Sequence, residues 1–175
     1  MNYSALNLFM SEENIKRHLE YLRTQKLKLS ILEKSNEEIK GKGLEEIYRM
    51  KMDKELKREI INLLWHIHSH EQFFESFNSS PKTPKWLKEI NISKEGLLYD
   101  VLTVAKSTEC GYLYIWRDNG YKPDIYVLKE FDRILIKKTP KLCIDLYEHT
   151  YYSDYGFKKE AFIKNALSYL DIGKL

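Results

Sequence analysis

At 175 residues and a formal net charge of +3, the chain has room for one sizeable core but no charge excess that would argue by itself for nucleic acid. It is 43% hydrophobic and 31% charged, the balance of an ordinary soluble globular protein, and its longest apolar run is far too short to span a bilayer. The opening stretch MNYSALNLFMSEEN has no charged segment leading into an apolar one, and the two cysteines, Cys110 and Cys143, make neither a disulfide framework nor a metal cluster, so a reducing, cytoplasmic setting is expected.

Ser11, followed by Glu12 and Glu13, reads as a helix N-cap with acidic residues in the first turn. From there Ile15, His18, Leu19, Leu22, Leu27 and Leu29 recur at helical spacing, which predicts a helix over 12–35. Gly41 and Gly43 punctuate the chain, and LEEIYRM reads as a short helix. Asp53 is a plausible cap for a second long helix, along which Leu56, Ile60, Leu63, Leu64, Ile67 and His70 return to one broad face. NSSPKTPKW, Asn78 to Trp86, stops it with two prolines and marks the best domain boundary. A helix near Lys94–Lys106 follows; GYLYIWR, DIYVLKEF and ILIKKTPKLCIDLY then read as strands, and a helix near Lys158–Tyr169 closes the chain. The expected class is α+β: an N-terminal helical hairpin over 1–80, and a C-terminal α/β domain over 81–175 with a three-stranded antiparallel sheet.

INLLWHIHSHEQFFESF places His66, His68 and His70 within five residues. On a helix, positions i and i+4 share a face while i+2 lies nearly opposite, so His66 and His70 can address one site and His68 cannot join them. Taken singly, each is more often an incidental residue than a ligand. CIDLYEHTYYSDY adds Asp145 and His149, four apart, where an apolar run gives way to a turn, and His18 lies on the inward side of the first helix. Three imidazoles and one carboxylate from separate elements would leave a coordination position open; that set suits iron or manganese, with zinc chemically possible.

These residues resemble the iron/manganese superoxide dismutase family. The family's C-terminal signature D-x-W-E-H-x-Y-Y appears as Asp145-Leu146-Tyr147-Glu148-His149-Thr150-Tyr151-Tyr152, with one aromatic exchanged for another. Its second-helix signature N-H-x-x-(F/Y)-W is matched more loosely by Ser69-His70-Glu71-Gln72-Phe73-Phe74, and GYLYIW resembles its G-W-x-W-L strand, with Tyr112 and Tyr114 in the tryptophan places. The resemblance implies a metal site between the two domains, with His18, His70, Asp145 and His149 as ligands to one iron or manganese ion per chain. It implies walls made by Tyr147, Tyr112 and Phe74. It also implies a homodimer in which Glu148 reaches the partner's ligand histidine and Tyr152 sits beside that bridge.

The departures are equally specific. The family's gateway histidine and tyrosine, four and eight residues after the first ligand, fall on Leu22 and Lys26. Its glutamine, which hydrogen-bonds solvent at the metal, falls on His66 or on Phe131 before Asp132, according to the metal used; His66 retains an N–H that can donate in its place. An arginine after the tyrosine pair is matched by Lys159, not a neutral exchange at a bidentate site. The expected function is disproportionation of superoxide to O2 and H2O2, with His66 and Lys26 as the altered catalytic positions and with neither nucleic acid nor membrane as partner. The alternative is a catalytically weak or inactive structural subunit of a larger assembly, virion-associated or ribosome-like. A metal oxidoreductase acting on another small oxidant is the third.

Overall fold

The computed structural model describes residues 4–118 and 121–175. Ser11 opens the first long helix, α1 (Glu12–Ser35): its hydroxyl accepts the Asn14 N–H at 3.2 Å, and Glu12 and Glu13 occupy the electropositive first turn. A short helix, α2 (Leu44–Arg49), precedes α3 (Lys54–Glu75), which Asp53 caps by accepting the N–H groups of Glu55 and Leu56 at 3.0 Å. The apolar face of α3 buries Ile60, Leu63, Ile67, His70 and Phe74, and α1 packs along it. Lys26 on α1 and Glu71 on α3 tie the two across the surface at 2.6 Å.

The chain continues through α4 (Trp86–Glu89), α5 (Lys94–Lys106), β1 (Tyr112–Trp116), β2 (Asp124–Leu128), α6 (Ile134–Lys137), β3 (Leu142–Asp145), α7 (Glu148–Tyr155) and α8 (Lys159–Tyr169). The described residues thus hold eight α-helices and one antiparallel sheet of order β2-β1-β3, the α+β arrangement expected. The central strand is buried along its whole length, which is why YLYIW carries no charged or strongly polar residue. Gly111 starts it at φ +128°, where a Cβ would lie 2.7 Å from the Leu128 carbonyl oxygen, so no other residue fits that close approach. The register sets Tyr112 opposite Asp145, and α3 packs on β3, so one sheet edge and two long helices converge at the end of β3.

Two boundaries differ from the sequence expectation. The third strand candidate divides: Ile134–Lys137 forms the short helix α6, and only Leu142–Asp145 pairs with β1. DIYVLKEF pairs only as far as Leu128. Beyond these two, a helix not expected from the sequence, α7, starts at Glu148 after Leu146 and a bend at Tyr147 and packs against α1 and α8. Among the described residues no helix is long and apolar enough to cross a membrane.

Candidate metal centre

Four elements each deliver one side chain to the same point. His18 comes from the second turn of α1, His70 from the C-terminal half of α3, Asp145 from the end of β3 and His149 from the first turn of α7. One donor atom from each lies within 4.8 Å of all the others. Asp145 Oδ2 sits 3.3 Å from His18 Nε2, 3.6 Å from His70 Nε2 and 3.3 Å from His149 Nε2. Donors each about 2 Å from a common ion stand about 3 Å apart at a right angle and farther at wider angles, which matches the three separations from Asp145. Asp145 Oδ2, His18 Nε2 and His70 Nε2 are buried without a hydrogen-bond partner. Lone pairs facing one another inside a protein are costly unless a cation lies between them. The group can therefore bind a metal ion, and three nitrogens with one carboxylate oxygen fit iron or manganese.

The surroundings orient these donors. His70 Nδ1–H donates to the His66 carbonyl at 2.7 Å, which leaves Nε2 bare and turned toward Asp145. The buried Tyr112 hydroxyl lies 3.1 Å from that same Nδ1 and 3.0 Å from His66 Nδ1. Since His70 Nδ1 already carries its proton, the Tyr112 O–H donates to His66 Nδ1, and His66 keeps its own proton on Nε2. Asp145 Oδ1 accepts the Tyr147 N–H at 2.9 Å, which fixes the carboxylate plane. His18 has no hydrogen bond at either nitrogen; the rings of His70, Phe73, Phe74 and His149 hold it in place, at 4.8 to 5.5 Å.

The electrostatics agree with this picture. Burial pushes His70 down to about 4, so it is neutral and able to ligate near pH 7. Burial also lowers His66. Burial alone would lower His149, but the Asp145 carboxylate outweighs it and raises the group. Burial would likewise raise Asp145, yet contact with His149 and His18 holds it well below the usual carboxylate range, so the site keeps its negative charge.

The other expected residues divide between those at the centre and those elsewhere. Tyr147 stacks on His149 at 5.9 Å and meets Tyr112 edge-on at 5.2 Å, and Phe74 meets His18 edge-on. Tyr152 lines a cavity of about 350 Å³ together with Arg17, His18, Tyr21, His149 and Ser153. Glu148 is exposed next to His149. Lys26 is committed to Glu71, and Leu22 is buried in the core. Phe131 packs on Tyr48 at 6.1 Å, and His68 is exposed. Lys159 donates to the Thr108 and Glu109 carbonyls at 2.5 and 2.8 Å, holding the loop ahead of β1.

A family model of the C-terminal domain of iron/manganese superoxide dismutases matches residues 68–174, more than half of the chain. The chain belongs to this family. The matched span includes His70, Asp145 and His149; His18 lies outside it and joins them through the packing of α1 on α3 and α7. No curated protein matches the chain. Tyr21 is the site residue that the family spacing did not bring out. Its ring lies 5.1 Å from His70 and 5.3 Å from His149, although the dismutase gateway positions fall on Leu22 and Lys26. Its signal in the sequence was helical phase alone: residue 21 follows His18 by three, which places it on the same face.

Proposed function

We propose that the chain is a metal-dependent superoxide dismutase. The supporting observation is the set of buried, partnerless donor atoms of His18, His70 and Asp145, which, with His149, need a cation between them. Residues 1–80 supply the first two ligands and 81–175 the other two. Asp145 and the imidazoles of His18, His70 and His149 would hold one iron or manganese ion per chain. When bound, that ion would supply the reversible one-electron exchange that converts two superoxides and two protons to O2 and H2O2. Tyr147, Tyr112 and Phe74 exclude water around it. His66 keeps an N–H on Nε2, as a donor in the missing glutamine's place must. Lys26 ties α1 to α3 through Glu71, and its charge is therefore a weaker lure for superoxide than a free lysine would be.

Glu148, exposed beside a His149 side chain that is 40% exposed, supports a homodimer in which each glutamate reaches the other copy's histidine, with Tyr152 alongside. Sedimentation of the wild type and of Glu148→Ala tests that contact: the variant is expected to dissociate at concentrations where the wild type does not.

Metal analysis and a dismutase assay on the same preparation, reconstituted separately with iron and with manganese, test the function. The expected result is one ion per chain and turnover with at least one metal, both lost in Asp145→Asn. Stoichiometric metal without turnover in either form would overturn the dismutase and favour a structural subunit. Rapid peroxide consumption beside a low dismutase rate would favour the other oxidant.

A further inference from the structure

The side chains of His18, His70 and Asp145 have no exposed surface, so anything that reaches the donor cluster from solvent must pass the partly exposed His149. Among the described residues, hollows on two sides touch that histidine. One, of about 430 Å³ and lined by Glu109, Cys110, Tyr147, Glu148 and His149, meets only that member of the four. The other, of about 350 Å³, is lined by both His18 and His149 and is thus the more direct approach. Tyr21 also lines it, at 37% exposure. Its ring lies nearly parallel to that of His149, with 29° between the planes, while it also leans on His70. An aromatic ring placed on two of the four donors, with solvent on its other side, covers them and can uncover them only by rotating about its side-chain bonds.

We propose that the Tyr21 ring is the sieve of the centre: it admits small linear anions and holds back bulkier molecules. The ring does this by its size and not by its hydroxyl, which has no hydrogen-bond partner among the described residues. This goes beyond the dismutase reading, and part of it stands without a metal, because the ring covers the imidazoles themselves.

The experiment compares the wild type, Tyr21→Phe and Tyr21→Ala. In the metal-free proteins, carbethoxylation of individual histidines by diethyl pyrocarbonate is followed by peptide mass mapping. His18 and His70 should react about tenfold faster in Tyr21→Ala and at the wild-type rate in Tyr21→Phe. His66, held by Tyr112, is the internal reference and should not change. In the iron-loaded proteins, optical titration should show azide binding in all three and benzoate binding in Tyr21→Ala alone. Equal His18 and His70 rates in the wild type and Tyr21→Ala would overturn the sieve. So would a Tyr21→Phe variant that behaves like Tyr21→Ala, or a rise at His66 of the same size, which would mean general loosening. A wild type that takes up neither iron nor manganese would overturn the dismutase reading, while the carbethoxylation rates would still decide the sieve.

Discussion

Tyr112 shows how one hydroxyl can organise two histidines. Its O–H fixes the His66 tautomer, and its oxygen lies beside the Nδ1 that orients His70. Tyr112→Phe keeps the ring and removes this link. Partners that orient a ligand are worth roughly 10–100-fold in metal affinity, and one lost hydrogen bond about 1 kcal/mol in stability. Competitive metal titration should therefore show a large loss while chemical denaturation shows a small one; the reverse ranking would make Tyr112 a packing residue only.

The histidines also set a pH profile for the metal-free protein. His70 falls from an ordinary 6.5 to about 4, so between those values the unfolded chain binds the extra proton and stability drops as pH falls. His66 is lowered too and acts with the same sign. His149 is raised, so its contribution is fully present below 6.5 and is lost as pH climbs through its folded value. The two effects occupy separate windows. Denaturation midpoints measured across pH should peak near 6.5 and decline toward 4, and a midpoint that rises steadily to pH 4 would contradict the burial of His70.

At the scale of elements, the decisive contact is between α1 and α7, because it brings His18 to His149. Asn14 makes it: its amide donates to the Thr150 carbonyl at 2.8 Å and to Asp154 Oδ2 at 2.9 Å, and Asp154 Oδ2 also accepts the Ser11 N–H at 2.9 Å. Asn14→Ala removes both of these hydrogen bonds between the helices, a cost of about 1–3 kcal/mol by denaturation. Burial would raise Asp154, but its bonds to Ser11 and Asn14 outweigh that and lower it; this stabilisation is present above the unfolded carboxyl's ordinary 3.8 and is lost as pH falls through the lower folded value.

None of this contact could be read from the chain, since residues 14, 150 and 154 have no shared periodicity. What could be read were the caps at Ser11 and Asp53, the i,i+4 logic separating His70 from His68, and the Asp145-to-Tyr152 signature. The errors have physical reasons. ILIK is as apolar as a strand, but Asp132 Oδ1 accepts the Ile134 N–H at 2.8 Å and starts a helical turn there. EHTYYSDY lacks an apolar stripe because α7 buries only Thr150 and Tyr151, so periodicity could not announce it. Tyr21 was passed over because the family's spacing directs attention to residues 22 and 26, whereas α1 turns residue 21 onto the donors.

For the whole molecule, the donor cluster is where both halves of the fold meet, so binding there is linked to global stability. A ligand that binds only the folded state stabilises it by about 2.7 kcal/mol at a hundredfold excess over Kd. Iron or manganese should raise the denaturation midpoint, and a chelator should return it to the metal-free value. The loaded protein should also resist acid down to the pH at which protons displace the metal from its imidazoles. The most direct test of the metal centre is anomalous difference density from crystals grown with iron or with manganese, recorded on either side of each absorption edge. One peak per chain is predicted, among Nε2 of His18, His70 and His149 and Oδ2 of Asp145; no peak there, or a peak held by other residues, would contradict it.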